Sequence, residues 1–214
     1  MTTPLTMTQA RAMTRDLASR WDATVVDSDS AASVAARAMV DALAYLVPET
    51  KAPVEIVSQH LGGLCVTLPL GDLGTYIFLS ERVNDSAVDY AETGAHEVHH
   101  ALGIAQAGTK QTAVDYLGDR NLRAAEEARA EVVAMFTRRV LTGELRSVDA
   151  VAAELHSRIY FLGDNHIRLG RGIIEGAHET IQRGGMPNSS ICLAVYQWLT
   201  KHAPDAIVAP VRLG

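Results

Sequence analysis

The chain has 214 residues, is 48% hydrophobic but only 5% aromatic, and carries a formal net charge of −6. That length supports one good hydrophobic core, with at most a small appended subdomain. The basic residues form no patch beyond the Arg138-Arg139 pair and the scattered Arg168, Arg171 and Arg183, which excludes nucleic acid as an expected partner.

No apolar run reaches the ~18 residues that a membrane span needs, so no membrane partner is expected. The start, Met1-Thr2-Thr3-Pro4-Leu5, lacks the charged and apolar regions of a signal peptide. Cys65 and Cys192 are isolated and offer no CxxC metal spacing. Free thiols and a cytoplasmic location are the expectation. Oligomeric state has no signal in the sequence.

The elements read in chain order as follows. A first helix spans about Thr8 to Trp21, and a second about Ala31 to Leu46, capped by Ser28 or Ser30 and ended near Pro48. Three short strands follow, at Val54 to Val57, Gly63 to Leu68 and Gly74 to Leu79, with glycine turns between them. From Ala87 the pattern is helical, with Asp85 or Ser86 as cap and Gly103 or the 107–109 segment as its end. A strong helix over Leu122 to Leu141 has Asn121 as its candidate cap. Ser147 opens a helix over Val148 to Phe161, and Leu162 to Asn165 reads as a turn. Two last helices span Ile173 to Gln182 and Ser190 to His202.

The layout is a single α+β domain over 1–214. N-terminal helices occupy 1–50, a small sheet 51–80, two central helices 85–145, and a helical C-terminal part 146–214.

The chemistry concentrates at His96-Glu97-Val98-His99-His100, an HExxH motif. Residues four apart share a helix face, so His96 and His100 can hold one zinc ion together. Glu97 then lies beside a water on that metal and can take its proton as general base. His99 points about 100° away from the neighbouring ligand.

A third protein ligand is needed, because catalytic zinc usually takes three and keeps one position open. Glu126-Glu127-Ala128-Arg129-Ala130-Glu131 is the best supply. Glu127 and Glu131 share a face, and Glu126 points about 140° from Glu131. This run resembles the EE(C/A)RA(E/D) motif of the dipeptidyl-peptidase III family of zinc peptidases. That resemblance implies that Glu127 is the third ligand and that Glu126 supports a zinc-bound histidine from behind. Glu131 is the further carboxylate near the metal and the substitute ligand. The family's histidine motif is usually HExxxGH, and only about 45 residues of this much shorter chain are similar to it. The broader resemblance is to the gluzincins, zinc peptidases with HExxH and a later helical glutamate. It implies a minimal zincin-like fold, mostly helical, with the small sheet preceding the HExxH helix.

Two further roles have candidates. The strand at Tyr76 to Ser80 precedes the motif helix and is a candidate edge for an extended peptide substrate. A donor for the oxyanion is expected after the glutamate helix. His166 is favoured, in a polar turn with Asp164 and Asn165, ahead of His156 and Tyr160, which are four apart on a helix. Arg168 and His178 are weaker candidates, and His60 and His202 carry no signal.

The expected function is zinc-dependent hydrolysis of a peptide or protein substrate with Glu97 as general base. One alternative is a zinc amidase acting on a small molecule or cell-wall fragment. The other is a non-catalytic, zinc-stabilised assembly or regulatory protein, which a fourth protein ligand would mark.

Overall fold

This computed structural model describes residues 3–35, 38, 66–69, 74–80, 85–155 and 162–212. Helix α1, Met7–Ser19, opens with a capping box between Thr6 and Gln9 and buries Ala10, Met13, Thr14, Leu17 and Ala18. The chain turns at Asp22, which takes a positive φ of 52°, and enters strand β1, Ala23–Asp27. That strand was not expected, although Ala23-Thr24-Val25-Val26 carries the β-branched signal. Residues 29–35 are helical, and Ser28 Oγ accepts from the Ala31 amide. The rest of the helix expected over Ala31 to Leu46, the strand at Val54 to Val57, and His60 and Cys65 lie outside the described residues.

Strand β2 is Val66–Pro69 and strand β3 is Thr75–Leu79. The strand order is β1-β3-β2, with β1 parallel and β2 antiparallel to β3. β3 therefore lies in the middle, hydrogen-bonded on both sides. This corrects the reading of Tyr76 to Ser80 as a substrate-binding edge: a central strand has no free backbone groups to offer. Among the described strands the outer positions belong to β1 and β2. Along β3, Thr75, Ile77 and Leu79 are buried and alternate with half-buried Tyr76 and Phe78, as a strand with one face on the core requires.

Helix α2, Ala87–Ala107, carries HExxH and is capped by Ser86, whose hydroxyl oxygen accepts from the Asp89 amide. It runs through Gly103 and stops at Gly108, where φ is +81°. Helix α3, Thr109–Gly118, was also not expected. Helix α4, Arg120–Thr142, is capped by Asp119 rather than Asn121, and Gly143 closes it in the left-handed conformation. Helix α5, Val148–Leu155, begins at Ser147, whose hydroxyl accepts from the Ala150 amide.

Helix α6 runs Asp164–Gln182, starting well before Ile173. His166 is thus in its first turn and not in a loop. Helix α7, Ser190–His202, has the bounds the sequence pattern indicated, and a 3-10 turn, Pro204–Ala206, follows.

The fold is mostly helical, with the small sheet preceding the HExxH helix. One continuous core joins α1, β1, β3, α2 and α4 to α7. α4 packs on α2 and α6, and the sheet lies against α1 and α2. The buried faces of α2 and α4 are rich in alanine, with Ala91, Ala95 and Ala101 on one and Ala124, Ala128, Ala130 and Ala134 on the other. Ala124 and Ala128 lie against Gly170 of α6, where small side chains let α4 and α6 approach. Buried Cys192 lies in α7, and burial pushes its thiol up to about 12. Among the described residues no helix is long and apolar enough to cross a membrane.

Candidate metal centre

Between α2 and α4 three donor groups converge. His96 Nε2 and His100 Nε2 are 3.3 Å apart, one helical turn from each other on α2. From α4, Glu127 brings Oε2 to 3.6 Å from His96 Nε2 and Oε1 to 3.5 Å from His100 Nε2. Glu127 is only 2% exposed. Among the described residues these three form the group whose ligand atoms lie close enough to share an ion, all within 4.8 Å of one another.

The spacing fits a tetrahedral ion. With metal–ligand bonds of about 2.0–2.1 Å, two ligand atoms of a tetrahedron stand about 3.3–3.4 Å apart. The donor chemistry, two imidazoles and one carboxylate, is that of catalytic zinc sites with one position left open.

Charge complementarity holds the cluster together. Burial works against an ionised Glu127, but His100 and His96 outweigh it and hold the carboxyl well below its ordinary range. Burial also disfavours protonated His96 and His100, and again loses to the facing carboxylates, so both are raised. A divalent cation answers the same excess of acceptor groups.

Glu131, one turn along α4, places Oε1 3.3 Å from His96 Nδ1. It therefore supports a candidate ligand from behind. Glu126 does not: its Oε2 lies 3.3 Å from His99 Nε2, and its other oxygen accepts from Arg129. The carboxylate within reach of His96 Nδ1 is thus Glu131, and Glu126, to which the dipeptidyl-peptidase III motif pointed, faces His99. His99 points off the ligand face, as the 100° step from its neighbour requires. Beyond Glu131 the charges continue through Glu154, which pairs with Arg146, then Glu92 and Arg138.

Glu97 is 5% exposed. Thr67 of β2 reaches it with one hydroxyl, 2.8 Å from Glu97 Oε2 and 2.9 Å from the Glu97 carbonyl oxygen. The negative charge of Glu97 also acts on His96, His100 and Tyr116, which places it at the same centre.

Tyr116 is the residue that sequence reading missed. It comes from α3, and its hydroxyl donates to Glu127 Oε1. Its ring stands edge-on to His100 with centroids 6.1 Å apart. Buried Arg123 steadies it, donating to the Tyr116 carbonyl at 2.8 Å and lying 5.9 Å over the ring. Burial and the charge of Glu127 push the phenol well above its ordinary pKa, so it keeps its proton. The signal available was a tyrosine in a short helix between the two ligand helices, which the strong helix-ending glycine at 108 disguised as a connection.

The other expected donors are placed differently. The Gly163 amide donates to His166 Nδ1 at 3.2 Å, so that side chain folds back on the start of α6. Arg168 donates to Asn165 on the same turn. His178 is half-buried further along α6. His156 and Tyr160 lie outside the described residues.

No protein-family model, curated protein or solved structure matches this chain at a significant level.

Proposed function

We propose that the protein is a zinc-dependent peptidase in which His96, His100 and Glu127 hold the ion and Glu97 is the general base. One observation carries this reading: two imidazoles and a buried carboxylate whose ligand atoms lie within 4.8 Å of one another, with a buried glutamate next in sequence to the first histidine. When bound, zinc supplies a Lewis acid that acidifies water and draws electron density from a carbonyl.

The chain's own groups supply the rest. Glu97 takes the proton of the attacking water and returns it to the leaving nitrogen. Tyr116 turns its hydroxyl from Glu127 to the carbonyl oxygen as negative charge gathers there. This gives Tyr116 the role that sequence alone suggested for His166. Glu131 holds the His96 ring in one tautomer. β2, one of the two outer strands described and the one joined to α2 through Thr67, is the place for an extended peptide to add main-chain hydrogen bonds.

The test is cleavage of a diverse peptide pool by the zinc-loaded protein, with new termini read by mass spectrometry. The expected result is a defined set of cuts that E97Q makes at least about a hundredfold more slowly while keeping its zinc. Equal cleavage by E97Q sinks the assignment of the base, and no cleavage by either protein sinks the peptidase reading.

A further inference from the structure

We propose that Thr67 is the positioning residue that sets the orientation of the Glu97 carboxylate. This rests on the reading of Glu97 as general base.

The placement begins in the sheet. Thr67 pairs with Ile77 of the middle strand, a residue with no exposed surface, so the backbone at Thr67 is tied to the core. From there its hydroxyl crosses to α2, and both oxygens it meets belong to one residue. The approach to the Glu97 carbonyl sets Thr67 beside the helix backbone. The bond to Oε2 then selects a side-chain rotamer. A glutamate has three side-chain torsions, and a base that must meet a water at one point loses rate if they wander. Holding Oε2 leaves Oε1 to receive the proton.

The hydroxyl has a single hydrogen and two acceptors at nearly equal distance. While Glu97 is a carboxylate, that hydrogen is best spent on Oε2, because bonds to an ionised acceptor are the stronger ones. Once Glu97 carries on Oε1 the proton taken from water, Oε2 is the carbonyl oxygen of the acid and still accepts from the Thr67 hydroxyl. Thr67 neither gains nor loses a proton in this cycle. It keeps a partner for Glu97 in both of its states, so the carboxyl need not move between taking the proton and passing it to the leaving nitrogen.

The experiment compares T67V, which keeps the shape and removes the hydroxyl, with T67S, which keeps the hydroxyl. T67V should retain zinc and lose about tenfold to a hundredfold in kcat with KM within about twofold, and T67S should recover most of the rate. T67A serves if valine does not fold. A double-mutant cycle with E97A, read by denaturant unfolding of the zinc-loaded protein, gives a measure independent of turnover. The unfolding equilibrium constant should show about a tenfold coupling between the two positions, as expected for a hydrogen bond to a charged group. Full kcat in T67V, a T67S as impaired as T67V, or additive effects in the cycle would each overturn the proposal. If the parent protein cleaves nothing, the peptidase reading fails, and the cycle still decides whether Thr67 holds Glu97.

Discussion

Glu131 Oε1 stands 3.3 Å from His96 Nδ1, on the side of the imidazole ring away from His100 and Glu127. A carboxylate there keeps the proton on Nδ1 and leaves Nε2 as a lone-pair donor. It also makes the ring a better ligand. E131Q should therefore bind zinc about tenfold to a hundredfold more weakly than the parent without losing the ion outright. Competition titration against a chelator of known affinity measures this. An unchanged affinity would reduce Glu131 to a packing role.

The ligand set itself makes a sharper prediction. The purified protein should hold about one zinc per chain, and H96A, H100A and E127A should each lose most of it. Elemental analysis of the three variants beside the parent is sufficient. Equal zinc in E127A and the parent would remove Glu127 from the ligand set.

Tyr116 and His166 are separable by rate. Y116F deletes the hydroxyl that donates to Glu127 and leaves the ring beside His100. It should lower the rate by about a hundredfold, the usual effect of removing one oxyanion donor, with zinc content little changed. H166A should stay near the parental rate, since its ring folds back on the start of α6. The opposite pattern would return the role to His166.

Glu154 ties the centre to pH. Burial and the negative charge of Glu131 push its carboxyl up to about 7, against the pull of Arg146. A carboxyl that binds its proton more tightly in the folded than in the unfolded chain stabilises the fold at low pH. That contribution is full below the ordinary value of 4.5 and is lost as pH rises through about 7. E154Q imitates the protonated form at every pH. Relative to the parent it should gain stability between about pH 5 and pH 8, read from denaturant unfolding at steps across that range. A difference independent of pH would mean that Glu154 titrates normally.

The seat of α1 on α2 is equally testable. A methyl group on Gly94 would lie 2.7 Å from Thr14 Cγ2, and Thr14 is fully buried with its hydroxyl donating to the Ala10 carbonyl. Gly94→Ala should cost about 1–3 kcal/mol through overpacking, more than any gain in helix propensity returns. Thermal unfolding of this variant decides it, and a Tm equal to the parent's would show that the helices can separate without cost.

Local rules determined much of this protein in advance. The four-residue spacing of His96 and His100 places both on one face of any helix, and the same period puts Glu127 and Glu131 together on α4. The last helix was legible to its end residues because Ser189, a good cap, and Pro204, a helix breaker, bracket an apolar pattern. Such features depend on neighbours within a few residues, and a sequence displays those directly. The tertiary structure decided what depends on distant partners. It made β3 the middle strand by adding β1, a pairing across some fifty positions that no local pattern expresses. It gave Glu131, not Glu126, to His96, because the rotation of α4 against α2 is set by packing of both helices and not by the acidic run itself. It brought Tyr116 and Thr67 to the ligands from α3 and β2, elements whose own sequences carry no metal signal. A side chain's chemistry is a property of its residue type, but its partner is chosen by the fold.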